Sequence, residues 1–362
     1  MENKEASNSG KKLSKVVALS VLLAGLKSCV VLAAKEIYDS CFPRYEKKDL
    51  ATIYGEFDYS RVQGRLKREL LNFQSEKIKL QGYYYPSEGA KGLVVVSHGM
   101  HAGADDYIPF IEYFVKKGFA VFAYDCRGTY ASEGDSTVGM CTPLVDLDFA
   151  LKYINNDGRF SKMPLFLFGH SWGGYAAASV LSLHKNIKAC AVIAPFNDGY
   201  TLIEEKGEQY AGPFSEIVRN SFPEKFLSVY QKILFGKYTK LNAVKGINNT
   251  DIPVFIAHGN KDNVIDFYRQ SVISHRGEIR DKNVIYYIGT EAHAGHNTIL
   301  HSERAVDYQG KIKNALKQLK KENNELTQED NINFCKSIDH ALYSEVNAEM
   351  MEKIVAVFEK SI

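Results

Sequence analysis

The sequence predicts an α/β fold with a mostly parallel central sheet flanked by helices. Three observations predict it. Short unbroken apolar runs of strand length recur, stretches with helical spacing separate them, and small-residue or polar turns bound each run. The length, 362 residues, fits one large α/β domain with additions rather than a single small domain.

At the N-terminus, a polar lead with Lys11, Lys12 and Lys15 precedes "VVALSVLLAGLKSCVVLAAK", residues 16–35. A membrane span needs about 20 mostly apolar residues and here must tolerate Lys27, which costs roughly 3 kcal/mol near mid-bilayer unless it snorkels. A cleaved signal peptide fits the basic lead, the short apolar region and the small residues Ala33 and Ala34. The third alternative is an amphipathic or buried helix of a cytoplasmic protein. The leading expectation is a transmembrane helix that anchors the chain to a membrane through residues 16–34, with the remainder facing outward. A secreted or cytoplasmic chain is the alternative. Cys29 does not make a lipoprotein, because Lys27 stands where a small residue is expected.

Residues 1–35 thus form an N-terminal hydrophobic segment, and 36–75, polar and mixed, a connecting arm. "EKIKLQGYYYP" (76–86) alternates like a strand before a turn. "GLVVVSHG" (92–99), "FAVFAYD" (119–125), the run Leu165–Phe168 and "IKACAVIAP" (187–195) are continuous apolar runs, as expected of strands buried on both faces. "YIPFIEYFVKKG" and "PLVDLDFALKYINND" have helical spacing between them. "IPVFIAHG" (252–259) and "NVIYYIG" (283–289) complete the strand series. Residues 196–250 hold no clear buried strand but many aromatics, which predicts a helical cap inserted at a strand end, between core parts 76–195 and 251–362. From Lys311 the chain reads as helical, and "EMMEKIVAVFEKSI" has the apolar spacing to pack back on the domain.

Composition excludes several classes. With 45% hydrophobic and 24% charged residues, the chain can build a substantial core. A net charge of +2 with no basic stripe argues against nucleic acid as a partner. The six cysteines (29, 41, 126, 141, 190 and 335) show no metal-ligand or disulfide-framework spacing, and Cys126 and Cys190 read as small buried thiols.

The chemistry concentrates in "PLFLFGHSWGGYAAASVL", residues 164–181, where a strand-like run meets an alanine-rich helical stretch. Between them, Gly169-His170-Ser171-Trp172-Gly173 matches G-x-S-x-G in the strand–turn–helix context that motif requires. So sharp a bend needs side chains nearly absent at two neighbouring positions, which Gly169 and Gly173 satisfy, while Gly174 allows close helix packing. The bend presents a serine hydroxyl at a helix N-terminus, where developing negative charge is favoured.

The chain resembles the α/β-hydrolase superfamily, in the group of monoacylglycerol-lipase-like and serine-aminopeptidase-like serine hydrolases. The resemblance covers approximately residues 76–310 and rests on "SHGMHAG", "YDCRG", "GHSWGG", "HGNKD" and "AGHN" in that order. It implies a catalytic triad in the order Ser, Asp or Glu, His. Ser171 is the expected nucleophile. Asp262 matches the acid position, with Asp266 the other carboxylate of "HGNKDNVID". His296 matches the Gly-His of the last loop, with His293 its rival; His301 reads as a surface residue of the following helix. The oxyanion hole is expected from the backbone N–H groups of Trp172 and Met100. His98 and His101 are expected to shape the loop, His170 to be buried support, and Asp125 to tie down a turn. Asp125, Arg127 and Gly128 follow the family pattern, whereas Tyr130 stands where the family has glycine.

The implied function is cleavage of a carboxylic ester of a small molecule through an acyl-enzyme, with no cofactor and no metal. Peptide or amide cleavage is the alternative, and a ligand-binding protein with little turnover is a third possibility from another class.

Overall fold

A computed structural model of the chain describes residues 32, 35–36, 38–203, 224–280, 283–323 and 326–362. Eight strands form one sheet: β1 (Glu69–Ser75), β2 (Ile78–Tyr85), β3 (Leu93–Ser97), β4 (Ala120–Tyr124), β5 (Leu165–His170), β6 (Ile187–Ile193), β7 (Val254–Gly259) and β8 (Val284–Gly289). Their order is β1-β2-β4-β3-β5-β6-β7-β8. The first two strands run antiparallel to their neighbours, and all pairs from β4 onward are parallel.

Helices among the described residues include α1 (Ile108–Lys116), α2 (Thr142–Asn156), α3 (Trp172–Val180), α4 (Glu224–Phe235), α5 (Ala243–Asn248), α6 (Glu303–Glu322), α7 (Gln328–Lys336), α8 (His340–Tyr343) and α9 (Ala348–Glu359). They cover both faces of the sheet, which is why the central strands are unbroken apolar runs. Alternation sorts each strand between two cores. Val95, Phe122 and Leu167 join one core with Leu144, Leu151 and Tyr175 of α2 and α3. Val94, Val121, Phe166 and Phe168 join the other with Phe110 and Phe114 of α1 and Phe358 of α9. The Phe358 ring stacks on Phe166 at 4.8 Å, so the C-terminal helix does pack back on the sheet. Cys126 and Cys190 are fully buried.

Several details differ from the sequence expectation. The connecting arm ends in an edge strand, β1, whose partly polar sequence and largely exposed face carry no long apolar run. At the other edge, β8 leaves Ile285, Tyr286 and Ile288 exposed. Of the expected cap, residues 204–223 lie outside the described residues. Its described part includes helical residues at 199–203, α4, a 3-10 turn at Gly236–Lys240 and α5.

The membrane-anchor expectation requires correction. Among the described residues no helix is long and apolar enough to cross a membrane. The longest, α6, has 20 residues but reads "ERAVDYQGKIKNALKQLKKE", a sequence whose charges forbid a hydrocarbon surround. The segment 16–34, on which a transmembrane helix and an outward-facing orientation were expected, lies outside the described residues apart from Leu32.

Candidate active site

The parallel strands deliver their following loops to one rim of the sheet, where α/β folds gather ligands and chemistry. β3 leads to Met100, β5 to Ser171, β7 to Asp262 and β8 to His296.

Ser171 occupies the bend itself, with φ 54° and ψ −114°, and caps α3. That backbone is rare for a residue with a side chain and persists only where its surroundings enforce it. Enforcement comes from two bonds: the Ser171 N–H donates to the Ile193 carbonyl at 2.8 Å, and the Ser171 carbonyl accepts from Tyr175 N–H at 2.9 Å. A Cβ at Gly169 would lie 2.3 Å from the Gly173 carbonyl oxygen, and one at Gly173 only 2.1 Å from the Ser97 carbonyl oxygen. The bend therefore closes only with glycine at both places.

Ser171 Oγ lies 2.9 Å from His296 Nε2, and His296 Nδ1 lies 2.7 Å from Asp262 Oδ2. All three residues are buried. Asp262 Oδ1 accepts the N–H groups of Val264 and Ile265 at 2.8 and 2.9 Å. Its Oδ2 also faces His258 Nε2 at 3.1 Å. Burial alone would raise this carboxyl's pKa, but the hydrogen bonds from His258 and His296 hold it well below the usual carboxylate range. Asp262 is thus a fixed anion, and His296 is held with Nδ1 toward it and Nε2 toward the serine.

The Trp172 N–H is the first of α3, so no intrahelical carbonyl uses it. The Trp172 indole N–H donates to the Met140 carbonyl at 2.8 Å, which fixes the side chain away from that amide. Met100, half-buried, stands in the turn after β3.

The rival residues lie elsewhere. Asp266 Oδ1 accepts the Tyr268 N–H and caps a local turn. His293 sits in a short 3-10 turn, Glu291–His293, with no hydrogen bond to Ser171 or Asp262 among those described. His301 is not on a helix surface: it is buried and extended, bridging to Val346, because the chain returns across it before α9. Its burial lowers its pKa to about 4.

The supporting residues tie loop to loop. His98 Nε2 accepts the Cys126 N–H at 2.9 Å, so its proton is on Nδ1, directed at the Gly99 carbonyl at 2.7 Å. Buried Asp125 accepts from Ala104 N–H, Tyr83 Oη–H and Ala131 N–H, joining the loops after β3 and β4. Arg127 binds Asp146, Ser75 and Glu76. Tyr130, in the place of a glycine, keeps a left-handed backbone with φ 43°. Its hydroxyl donates to Asp106 at 2.7 Å, and its N–H to the Tyr45 carbonyl. Arg44 of the arm reaches the carbonyls of Tyr130, Ser132 and Gly134 in this loop at 2.6, 2.9 and 2.9 Å. His101, its ring tilted against that of Tyr45 with centroids 4.4 Å apart, also lies against the arm.

Two residues of the site carry no signal in the sequence. His258 opens the "HGNKD" motif with no role of its own expected, and Tyr107, which reaches His170, belongs to a stretch that reads only as helical. Nothing in local spacing reveals either, since each acts on a partner whose place in the fold is not set by that spacing. Among the described residues, no group of three His, Cys, Asp or Glu side chains could hold a metal ion.

Comparison with known proteins supplies the relationship. A family model described as serine aminopeptidase, S33, matches residues 88–233. The protein named "Uncharacterized protein YfhR" of Escherichia coli K12 is 23% identical over 192 residues, 52% of this chain and 60% of that one. The monoglyceride lipase of Rattus norvegicus is 33% identical over 101 residues, 28% of this chain and 32% of the lipase. The matched stretches therefore span at most 60% of these curated relatives. A solved esterase of Pyrococcus furiosus shares the fold, with a TM-score of 0.51 and 18% identity over 77% of this chain and 98% of its own. With its sheet order, its strand–serine–helix bend and these similarities, the chain has the α/β-hydrolase fold.

Proposed function

We propose that the protein is a serine hydrolase that cleaves a carboxylic ester of a small molecule through an acyl-enzyme. The observation that carries the proposal is the continuous hydrogen-bonded chain from Ser171 Oγ through the His296 ring to Asp262. Ser171 Oγ attacks the carbonyl carbon as His296 Nε2 takes its proton. The Asp262 carboxylate stabilises the imidazolium so formed and keeps the ring oriented. The carbonyl oxygen becomes an oxyanion facing the N–H groups of Trp172 and Met100. Collapse breaks the bond to the leaving alkoxide, to which His296 returns the proton. Water then repeats the sequence on the acyl-enzyme and frees the acid. Every proton and electron pair in this route is handled by these side chains and backbone amides.

The rat monoglyceride lipase, a partial relative, supports an ester substrate. Amide cleavage is the second reading, favoured by the serine aminopeptidase description of the matching family model. A panel of acyl esters of graded length beside aminoacyl amides separates the two. Ser171→Ala is expected to abolish labelling by a fluorophosphonate probe and to lower turnover at least about 10⁴-fold. Turnover that survives this substitution overturns the assignment. Probe labelling of the parent with silence across the whole panel points instead to a ligand-binding role.

A further inference from the structure

A second hydrogen-bonded chain crosses the site beneath the first. Gly99 N–H donates to Tyr107 Oη at 2.9 Å, and Tyr107 Oη lies 2.8 Å from His170 Nδ1. His170 Nε2 lies 3.2 Å from the carbonyl oxygen of His296. The direction of every proton follows from the first donor. A backbone amide can only donate, so Tyr107 accepts there and donates its own proton to His170 Nδ1. That nitrogen is then an acceptor, the ring proton is on Nε2, and Nε2–H donates to His296.

Each link ends beside a group assigned to the reaction. Gly99 precedes Met100, His170 precedes Ser171, and the final acceptor is the main chain of His296 itself. Tyr107 and His170 are both buried, each 4% exposed, so these bonds are shielded from bulk solvent. The His170 and His296 rings stand 4.9 Å apart. Burial, then the nearby His296, lower the His170 pKa to about 3, which keeps it uncharged beside a ring that becomes cationic during turnover.

We propose that Tyr107 and His170 are positioning residues that lock the loop carrying His296 to the loop carrying Met100, so that base and oxyanion donor are held in one frame. This proposal rests on the serine hydrolase assignment above. The strut contacts no substrate; it acts through the register of His296 and Met100. A proton acceptor toward Tyr107 and a donor toward His296 are both required, and a neutral histidine supplies both from one ring.

The test uses the full chain and a soluble p-nitrophenyl ester. Tyr107→Phe removes a single oxygen; kcat is expected to fall about 10- to 50-fold with KM changed less than about threefold. His170→Gln restores an N–H donor near the Nε2 position, whereas His170→Asn restores only an acceptor near Nδ1. The expected order of kcat is parent, then Gln, then Asn, with Gln within about fivefold of the parent and His170→Ala lowest. Such a ranking by hydrogen-bond polarity is not expected of a role in packing alone. The proposal is overturned if kcat of the folded Tyr107→Phe enzyme stays within twofold of the parent, or if Gln is no better than Ala. Should Tyr107→Phe fail to fold, the Gln, Asn and Ala series decides alone. Ser171→Ala, measured alongside, separates the two failures. Turnover surviving that change defeats the serine assignment, whereas its loss beside an unaffected Tyr107→Phe defeats only the strut.

Discussion

The loops after β4 and β7 each bury an aspartate among backbone amides, yet the two carboxyls are driven in opposite directions. Asp125 accepts from Ala104 N–H, Ala131 N–H and the Tyr83 hydroxyl, and burial wins, raising its pKa. Asp262 accepts from two amides as well, but its other partners are His258 and His296, and its pKa is lowered despite burial. The difference lies in the partners. Two imidazoles hydrogen-bond Asp262 directly, whereas His98 acts on Asp125 only through space and the hydrogen-bond donors of Asp125, a tyrosine and two amides, stay neutral. One loop holds a knot of chain; the other holds a charge against two imidazoles.

Asp262→Asn is the sharpest way to break this contrast. It keeps the shape but presents an N–H₂ where a carboxylate oriented His296, so kcat is expected to fall about 10³- to 10⁴-fold in ester assays. A fall below tenfold would remove the functional half of the contrast. Asp125→Asn is expected to act on the fold instead, costing about 2 kcal/mol in denaturant unfolding while kcat of the folded fraction changes far less. Smaller again is His258→Asn, which withdraws one of the two imidazoles from Asp262. A loss of about tenfold in kcat is expected, and no loss would leave His296 alone responsible for the anion.

The smallest effect, and the most direct on the comparison, is in pH dependence. The Asp125 pKa is raised in the folded state, so the folded chain takes that proton first and folding gains as pH falls through the raised value. The Asp262 pKa is lowered, so below about pH 4 the unfolded chain binds a proton that the folded chain refuses, and stability falls. Melting temperature followed from pH 6 downward is therefore expected to drop more steeply in Asp125→Asn and less steeply in Asp262→Asn. Changes of the same sign in both variants would sink the distinction.

The sheet was legible wherever strands are sandwiched between helices, because burial on both faces leaves runs such as "LVVVS" and "LFLF" with no polar interruption. β1 was not, since an edge strand buries only part of its length and its polar residues read like a connector. The serine bend was legible from local chemistry alone, because its sharpness demands glycine at two positions within a few residues of Ser171. Asp262 and His296 lie 91 and 125 positions beyond Ser171 in the chain. Only family resemblance pointed to them, and no periodicity could have paired them. Tyr107 and His258 escaped altogether, because a buried tyrosine or histidine has meaning only through the carbonyl, ring or carboxylate it meets. His301 misled for the same reason: the strand-like return at Val346 that buries it lies 45 residues further on.

The Arg44 guanidinium holds three carbonyl oxygens of a loop that lies nearly ninety residues away in sequence. A lysine has no such planar fan of donors and could not grip all three. The curvature of that loop, including the left-handed tyrosine within it, is therefore borrowed from a part of the chain that carries no chemistry of its own. Whatever lifts residues 41–47 away would loosen the rim of the site while leaving every reacting atom chemically intact.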